Sequence, residues 1–309
     1  MKIAIFGSGG VGGYFGGRLA LAGQDVTFIA RGVHLAAVTE SGLRVDSIGG
    51  DFVVNPVKAT DSPQSIGTVD LVILATKAWQ LDSAIEQMKP LVGEGTMILP
   101  LLNGMEHMDA LLSAFEHKQV LGGLCRISAF VAGPGHIRHV GVPPFIAFGE
   151  LDNYKSARVN SLLEIFTAIN GITVDVPTDV NVAMWEKFIF ISGSSGVGAF
   201  TRQTIGEFRA NPETRAMLFN AMKETAAVAR ARGVALSERF VSDTMIRIDT
   251  IQPHIIASMQ KDIMEGRPSE LNEQTGAVIR MARSAGVPTP THEAIYAKLL
   301  PLENKARGL

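Results

Sequence analysis

Short apolar runs alternate with amphipathic segments in the N-terminal part of the chain. The apolar runs lie at residues 3–6, 26–30, 70–75 and 96–100, and they are separated by segments with helical spacing. Near-continuous apolar runs of this length are typical of parallel strands that are covered on both faces. Strands that alternate with helices predict an α/β fold with a Rossmann-type, doubly wound sheet, in which ligands bind where the strands end.

The pattern changes twice in the rest of the chain. Residues 120–148 contain β-type runs interrupted by glycine and proline, and a helix over 157–169 and a strand over 173–176 follow. Beyond Pro177 the apolar spacing becomes helical. It predicts helices over 180–200, 212–232, 238–251, 254–264 and 270–285, and a last one from 291.

Pro177 marks the predicted domain boundary. A chain of 309 residues is long for a single core, so two domains are the natural expectation. We expect a Rossmann-type nucleotide-binding domain over residues 1–177 and an all-helical substrate and catalytic domain over residues 178–309. Ligand pockets are common at such junctions, so the sequence predicts an active site in the cleft between the two domains.

A glycine-rich loop follows the first predicted strand. It comprises Gly7, Ser8, Gly9, Gly10, Val11 and Gly12. These residues match G-x-G-x-x-G, in which the first glycine makes a tight turn, the second admits a pyrophosphate close to the backbone, and the third lets the helix pack on the strand. The phosphates would face a helix N-terminus, where unpaired N–H groups favour negative charge. The strand–loop–helix context favours a dinucleotide site over a glycine turn without a ligand.

Arg31 follows the second predicted strand, at the position where an NAD site usually has an acidic residue. A carboxylate there binds the ribose 2′-hydroxyl, whereas a guanidinium suits a 2′-phosphate. The sequence therefore favours NADP (NADPH) as the cofactor. The alternative is a solvated surface arginine, since no second basic residue stands beside it.

Composition and charge narrow the classes of partner. Hydrophobic residues make up 46% of the chain and charged residues 19%, with a formal net charge of −2. This balance supports a large core and predicts a small-molecule substrate, with no nucleic acid and no membrane as partner. The single cysteine, Cys125, excludes an intramolecular disulfide, and we expect it to be buried rather than nucleophilic. No secretion signal or metal-ligand spacing is visible, so the sequence predicts a cytoplasmic protein without a metal.

Two polar residues follow predicted strands and are candidates for ligand contacts. Lys77 comes after the run at 70–75, and Asn103 comes after the run at 96–100. Parallel strands end at one edge of a sheet, so both residues are expected beside the glycine loop. Asn103 is followed by glycine, and this pair could also be only a turn.

Two polar residues of the C-terminal half are candidates for substrate binding. Glu270 is expected in the first turn of its helix, with Ser269 as the N-cap. Its carboxylate could accept a hydrogen bond from a substrate hydroxyl, and Ser258 could donate one to a substrate carboxylate. The alternatives are a glutamate that complements the helix dipole and an ordinary helix serine.

Lys187 lies on a largely apolar helix face. Its neighbours at helical spacing are Val180, Ala183, Met184 and Ile191. If that face lines the active-site cleft, desolvation of the ammonium would make Lys187 a better proton donor, as a general acid for a ketone oxygen requires. A lysine that snorkels along an apolar surface is the alternative.

Taken together, these residues resemble the ketopantoate reductase (2-dehydropantoate 2-reductase) family. The matching segments are the N-terminal strand with its glycine loop, Arg31, Thr76-Lys77-Ala78-Trp79-Gln80, Asn103-Gly104-Met105, Trp185-Glu186-Lys187-Phe188, Ser258-Met259 with Asp262, and Gly266-Arg267-Pro268 with Glu270. They span nearly the whole chain in the family's order. The resemblance implies NADPH-dependent reduction of the ketone of 2-dehydropantoate to (R)-pantoate, a step toward pantothenate and coenzyme A.

The resemblance also implies a role for each candidate residue. Lys187 would be the general acid, and Ser258 and Glu270 would bind the substrate. Asn103 and Lys77 would lie close to the nicotinamide side of the cofactor. Asn103 and Glu270 are therefore expected to contact both cofactor and substrate.

Two positions depart from the family's pattern. Similar enzymes commonly have asparagines four and eight residues after the lysine, where this chain has Ile191 and Ser195. We expect Ser195 to keep a substrate contact, with Ser192 or Ser194 compensating for the lost amide. Otherwise the preferred substrate is another 2-oxo acid. A catalytically silent NADP-binding sensor is a further alternative, and the helical domain could support a homodimer.

Overall fold

The computed structural model of the chain describes residues 1–309 and separates them into two compact units. Unit 1 comprises Met1–Leu102 and His107–Val180, and unit 2 comprises Asn103–Glu106 and Asn181–Leu309. The main change of unit thus lies close to Pro177, but a short segment around Asn103 also belongs to unit 2. That the first domain binds the cofactor and the second binds the substrate stays a prediction.

Unit 1 contains all the strands of the chain. They are β1 (Lys2–Phe6), β2 (Asp25–Ile29), β3 (Leu43–Ser47), β4 (Phe52–Val54), β5 (Lys58–Thr60), β6 (Leu71–Leu74), β7 (Met97–Pro100), β8 (Leu121–Gly133), β9 (His136–Glu150) and β10 (Thr173–Asp175). The helices that alternate with them are α1 (Gly10–Leu21), α2 (Gly32–Ser41), α3 (Leu81–Met88), α4 (Glu106–Ala114) and α5 (Ala157–Thr167).

A five-stranded parallel sheet forms the centre of unit 1, in the order β5-β2-β1-β6-β7. Its central strands are covered on both faces, since Ile3 and Leu71 on one face and Ala4 and Val72 on the other are fully buried. From β1 the sheet grows in one direction through β2 and β5, and in the other through β6 and β7. The change of direction lies between β1 and β6, which is where such sheets bind ligands. The predicted Rossmann-type fold is confirmed.

A second sheet has the order β10-β9-β3-β4, with β8 also paired to β9. The predicted β-type character of residues 120–148 is confirmed by β8 and β9, which form a long antiparallel pair. The sequence did not reveal that β3 pairs with β9, in a register that joins Arg44 to His136. Partners so far apart in the chain leave no mark on the local apolar pattern, because that pattern records only which residues are buried.

The C-terminal part of the chain is helical, as predicted. Its helices are α6 (Val180–Thr201), α7 (Ile205–Ala210), α8 (Pro212–Ala231), α9 (Phe240–Asp249), α10 (Ser258–Met264), α11 (Ala277–Ala285) and α12 (Pro290–Arg307). The short helix α7 was not predicted, and α10 begins later than the predicted residue 254. No helix of the chain combines the length and the apolar character that crossing a bilayer requires.

The helix predicted over 270–285 has an unexpected start. Asn272–Gly276 forms a π-helix, in which the Gly276 N–H donates to the Leu271 carbonyl over 3.0 Å, and the regular helix α11 follows. Ser269 still accepts the Leu271 N–H at 3.2 Å, in the manner of a capping residue. Glu270 therefore precedes the helical segment instead of lying in its first turn. Single-turn π segments are frequent at functional sites.

A buried polar network joins α6, α8 and α12. Thr225 Oγ1 lies 3.3 Å from Ser192 Oγ and 3.3 Å from His292 Nε2. The Glu224 carboxylate lies 2.9 Å from His292 Nδ1 and accepts the backbone N–H groups of Thr291 and His292 at 2.8 and 3.0 Å. Burial alone would raise the pKa of Glu224, but the hydrogen bonds from His292 and Thr291 hold it below its ordinary value. The network fixes α6, the helix that carries several predicted site residues.

We expect Glu224→Gln to lower the free energy of unfolding by about 1–3 kcal/mol at neutral pH, because the variant loses the charge that these donors hold. A carboxyl whose pKa folding lowers stabilises the protein above its unfolded pKa of about 4.3, and the contribution is lost as the pH falls through the lower folded value. Urea unfolding of variant and wild type should therefore show a difference that shrinks on going from about pH 7 to about pH 3.5.

The matched control for this prediction is Glu293→Gln. Glu293 is an exposed acidic residue in the first turn of the same helix, α12. Its replacement should change the free energy of unfolding by less than about 0.5 kcal/mol. A stability loss for Glu224→Gln that is equal at both pH values would contradict the role of the charge.

Candidate active site

Close backbone contacts shape the glycine loop at the end of β1. Gly7 has a φ of +101°, and an ideal Cβ on it would lie 2.8 Å from the carbonyl oxygen of Ala75, just beyond β6. A Cβ on Gly12 would lie 2.1 Å from the carbonyl oxygen of Gly7. A side chain on Gly7 would clash with the backbone just beyond β6, and one on Gly12 would push α1 away from the end of β1. Both glycines are therefore required by the fold, whether or not a ligand binds.

Gly9 differs from these two, because no atom lies within 4 Å of an ideal Cβ there. Gly9 is the N-cap of α1, and its carbonyl accepts the Gly13 N–H at 2.7 Å. The N–H groups of the first helical turn lack helical acceptors and favour an anion. Packing gives no reason for a glycine at this position, whereas the approach of a pyrophosphate does. The residues present therefore fit a dinucleotide.

Two basic side chains follow the strands on either side of β1. Arg31 comes after β2, is exposed, and donates from Nη2 to Oε1 of Gln87 on α3 at 2.5 Å. Lys77 comes after β6, and its ammonium lies 5.4 Å from the ring centroid of Trp79. Both cations thus belong to the sheet edge that carries the glycine loop, as predicted. The support from Gln87 was missed, because nothing in the sequence links it to an arginine 56 residues away.

The polar centre of unit 2 is the Glu270 carboxylate, which is only 5% exposed. Asn103 Nδ2 donates to Glu270 Oε2 at 3.0 Å, and Gln274 Nε2 donates to the same oxygen at 3.3 Å. Two amides from distant parts of the chain therefore converge on one carboxylate oxygen. An ionised carboxylate can only accept hydrogen bonds, so the arrangement orients an acceptor. We call Asn103, Ser195, Glu270 and Gln274 the amide–carboxylate cluster.

Contacts behind Glu270 hold it in place. The preceding residue, Ser269, donates its backbone N–H at 3.0 Å and its hydroxyl to the buried Glu303 carboxylate on α12. Arg307 in turn donates from Nη2 to the Ser269 carbonyl at 2.8 Å. From the other side, Tyr296 donates its hydroxyl to Asn272 Oδ1 at 2.5 Å. Helix α12 thus fixes both the residue before Glu270 and the start of the π-helix.

The segment around Asn103 is fixed to unit 2 by two contacts. Gly104 has a φ of +102°, and a Cβ on it would lie 2.7 Å from the Glu273 carbonyl oxygen. Glu106 accepts from Arg280 Nε at 3.0 Å and Nη2 at 2.6 Å, a two-bond ion pair. The hydrogen bond to the Glu106 carboxylate raises the pKa of Arg280 above its ordinary value, and burial of the guanidinium offsets only part of this rise. The Asn-Gly pair is therefore a turn and also brings a ligand-type side chain to Glu270.

Ser195 joins helix α6 to the cluster. Its Oγ lies 2.7 Å from Gln274 Oε1 and 4.0 Å from Met259 Sδ, and it also donates to the Ile191 carbonyl of its own helix. Ser258 precedes Met259 as the first residue of α10 and is exposed. The structure therefore brings Ser195 into hydrogen-bond contact with the cluster, while Ser258 is a neighbour that makes no hydrogen bond to it.

Lys187 lies on α6 two helical turns before Ser195, about 12 Å along the helix axis at 1.5 Å per residue. It is half-buried, and its ammonium makes no hydrogen bond or ion pair within unit 2. Its neighbour Glu186 has a pKa raised by burial, an effect that Arg247 partly offsets. An ammonium that the fold does not pair is available for a ligand. Its role as a general acid stays a prediction.

The expected compensation by Ser192 or Ser194 meets a geometric difficulty. Ser192 faces Thr225 on α8, and Ser194 donates its hydroxyl to the Phe190 carbonyl at 2.7 Å. Both hydroxyls have partners within the helical packing. The amide that stands beside Glu270 comes instead from Gln274 on the π-helix, which sequence reasoning missed because a single glutamine in an amphipathic helix carries no signal of its own.

Glu273 is a second acidic residue next to the cluster that the sequence did not single out. Burial and the nearby Glu270 carboxylate raise its pKa, although its own backbone N–H and Arg307 act in the opposite direction. Its backbone carbonyl packs against Gly104. A proton is therefore easier to retain at Glu273 than at an exposed glutamate. No group of three or more His, Cys, Asp or Glu side chains is arranged to hold a metal ion, and Cys125 is buried as expected.

Unit 1 has the sheet and glycine loop of a dinucleotide-binding fold, and unit 2 has an oriented carboxylate with amide partners on a helical scaffold. Together these define the class of two-domain, nicotinamide-dependent oxidoreductases that act on CH–OH groups. Two family models agree: residues 3–153 match Ketopantoate reductase PanE/ApbA, and residues 179–303 match Ketopantoate reductase PanE/ApbA C terminal. The chain belongs to the ketopantoate reductase family, as its motifs predicted.

Individual relatives cover nearly the whole chain. The 2-dehydropantoate 2-reductase of Mesorhizobium japonicum is 31% identical, over 96% of this chain and 96% of its own. A Bacillus subtilis protein named as the oxidoreductase YkpB is 30% identical, over 97% and 98%. The crystal structure of a PanE/ApbA family ketopantoate reductase from Ralstonia eutropha JMP134 is similar with a TM-score of 0.89 and 32% identity, over 99% of this chain and 100% of that one.

The contrast between Gly9 and Gly12 separates cofactor binding from folding. We expect Gly9→Ala to leave the free energy of unfolding within about 0.5 kcal/mol of wild type, because its Cβ meets no protein atom. The same methyl group should weaken dinucleotide binding at least about tenfold, because it occupies the approach of the pyrophosphate. Gly12→Ala should reduce both stability and binding. Thermal unfolding and fluorescence titration with NADPH measure the two effects, and unchanged NADPH binding by Gly9→Ala would argue against the assignment of the loop.

Proposed function

We propose that the protein catalyses NADPH-dependent reduction of the ketone of 2-dehydropantoate to (R)-pantoate, in pantothenate and coenzyme A biosynthesis. The observation that carries this proposal is the Glu270 carboxylate, which two amides orient as a buried acceptor. The substrate has a hydroxyl that can donate to such an acceptor. The similarity to the 2-dehydropantoate 2-reductase of Mesorhizobium japonicum supports the same substrate.

Two polar groups are proposed to bind the substrate, and a third holds one of them in position. Glu270 accepts a hydrogen bond from the substrate hydroxyl, and Asn103 donates to the Glu270 carboxylate and keeps it in place. Ser258 donates to the substrate carboxylate, a role that its exposed place at the start of α10 permits. A hydrogen bond to a charged group is worth about 1.5–3 kcal/mol, so these contacts suffice to orient a small oxo acid.

Arg31 is proposed to select NADPH over NADH. Its exposed guanidinium is held at one nitrogen by Gln87 and keeps further N–H groups for a phosphate. The glycine loop and the N-terminus of α1 would hold the pyrophosphate, and Lys77 would lie near the nicotinamide end. When bound, NADPH supplies the hydride for the carbonyl carbon.

Lys187 is proposed to be the general acid. Its ammonium gives a proton to the carbonyl oxygen, which becomes the hydroxyl of the product. The lack of an ion pair within unit 2 supports this role, because a carboxylate partner would hold the proton on the lysine.

Reduction of a different 2-oxo acid is the second candidate function. The observation in its favour is that Ile191 and Ser195 occupy the positions where similar enzymes have asparagines. A relative named only as an oxidoreductase is about equally similar to the chain. The two candidates share the cofactor, the general acid and the direction of the reaction, so they differ only in the groups that the substrate presents.

A substrate panel tests the proposal. NADPH oxidation is followed at 340 nm with 2-dehydropantoate and with 2-oxo acids that lack its hydroxyl or its branched carbon. The highest kcat/KM for 2-dehydropantoate is expected. A higher value for another 2-oxo acid would replace the first candidate by the second, and no turnover with any of them would favour a non-catalytic sensor.

We expect Arg31→Ala to raise the Kd of NADPH about 10- to 100-fold, because a charged hydrogen bond to the 2′-phosphate is lost. The Kd of NADH should change by less than about threefold, since NADH lacks that phosphate. Fluorescence titration with both cofactors measures the difference. Arg44→Ala serves as the control, because Arg44 is exposed on β3 and pairs with Asp46. Equal losses for NADPH and NADH would remove the argument for a 2′-phosphate contact.

We expect Lys187→Ala to lower kcat about 10²- to 10⁴-fold, the usual contribution of a general acid. NADPH binding should be retained, because Lys187 makes none of the proposed cofactor contacts. Lys223→Ala, which removes an exposed lysine of α8, is the control and should keep the wild-type rate. Single-turnover kinetics with saturating NADPH measure the chemical step. A Lys187→Ala variant with an unchanged rate would exclude the proposed role.

A further inference from the structure

We propose that Gln274 is a positioning residue that sets the orientation of the substrate-binding carboxylate of Glu270. Ser195 then acts through Gln274, because its hydroxyl donates to a protein acceptor and not to the substrate. The proposal rests on the function proposed above and deepens it. In this proposal Gln274, on the π-helix, supplies the amide that α6 lacks at position 195. The substrate that this arrangement selects carries a hydrogen-bond donor, such as a hydroxyl, within reach of Glu270.

The side chain of Gln274 is almost completely buried, at 2% exposure, between two polar partners. Its Nε2 lies 3.3 Å from Glu270 Oε2, and its Oε1 lies 2.7 Å from Ser195 Oγ. A buried amide without partners would be costly, so this glutamine depends on both contacts. The three side chains form one continuous chain of hydrogen bonds from α6 to the carboxylate.

Chemistry fixes the direction of each bond in that chain. A carboxylate without a proton can only accept, so the NH₂ group of Gln274 must face Glu270. The amide oxygen then faces Ser195, and the hydroxyl must donate to it or to the Ile191 carbonyl, its other neighbour. A serine has one proton, and both acceptors belong to the protein. Ser195 therefore has no proton left for a substrate carboxylate while this arrangement holds.

The second amide on the same oxygen makes the geometry specific. Asn103 Nδ2 reaches Glu270 Oε2 from the Gly104 turn, and Gln274 reaches it from the π-helix. Two donors at one oxygen restrict rotation of the carboxyl group about its terminal bond. Loss of the Gln274 donor would remove one of these two restraints, so substrate binding should weaken while NADPH binding changes much less.

A glutamate at position 274 gives the sharpest test. In Gln274→Glu the ionised carboxylate cannot donate to Glu270 and repels it, but its protonated form regains one donor and one acceptor, in the arrangement of the amide. Two adjacent carboxylates share a proton at a raised pKa. We therefore expect kcat/KM for the best 2-oxo acid to fall at least about tenfold at pH 8. The ratio of variant to wild type should recover at least about threefold on going to pH 6.

Gln260→Glu is the matched control. Gln260 is equally buried, at 1% exposure, and donates from Nε2 to the Gln203 carbonyl at 2.7 Å, away from Glu270. This variant also gains a buried carboxyl, so it reproduces any general loss of stability. Its kcat/KM should run parallel to that of wild type between pH 6 and pH 8. A parallel profile for Gln274→Glu as well would overturn the proposal.

Gln274→Met is the second variant, because methionine keeps the approximate length of the side chain but has no amide to donate a hydrogen bond. Its KM for the oxo acid should rise about tenfold, with NADPH Kd and kcat changed much less. Unchanged KM would overturn the positioning role. If wild-type protein reduces no 2-oxo acid at all, the proposed function itself fails and the role of Gln274 fails with it. Turnover by wild type with unaltered kinetics in both Gln274 variants would remove this inference alone.

Discussion

The organisation of unit 2 depends on a buried carboxylate that must find hydrogen-bond donors. Glu270 is 5% exposed, and an ionised group in that setting is stable only if donors reach it. One donor comes from Asn103, 167 residues earlier in the chain. This requirement explains why the short segment Asn103–Glu106 belongs to unit 2, although the residues on both sides of it in the chain belong to unit 1. The ion pair of Glu106 with Arg280 and the positive φ of Gly104 are the local means by which the segment is held there.

The polar groups of the predicted site divide into those that the fold requires and those that it does not. Gly7 and Gly12 are required by backbone contacts, and Ser269 is tied to α12 through Glu303. Gly9 and Lys187, by contrast, have no structural partner that explains them within their own units. The absence of a side chain at Gly9, where a Cβ would contact no other atom, contributes little to folding. The same holds for the unpaired ammonium of Lys187. Their presence is best explained by ligand chemistry, which is why they are the more informative members of the site.

Local patterns in the sequence predicted four of the five strands of the main sheet, all but β5, together with the glycine loop and most of the helices, because each depends on residues that are neighbours in the chain. They did not predict the second sheet, whose pairing of Arg44 with His136 joins distant segments. The π-helix was missed for a different reason, since a change from one helical hydrogen-bond pattern to another leaves the apolar spacing almost unchanged. Gln274 lies in this π-helix, so the least predictable element of unit 2 supplies part of the candidate site.

The position of Gln274 also bears on the two departures from the family's pattern. Ser195 lacks an amide, but its hydroxyl is hydrogen-bonded to one, so the polar character beside Glu270 is kept by a different helix. Ile191 lies one turn earlier on α6, between Ser195 and Lys187, and is half-buried. If Lys187 acts as proposed, an apolar side chain one turn away from it suits a substrate with an alkyl carbon next to its carbonyl. 2-Dehydropantoate has such a carbon, with two methyl groups on it, so the isoleucine is compatible with the proposed substrate as well as with another branched 2-oxo acid.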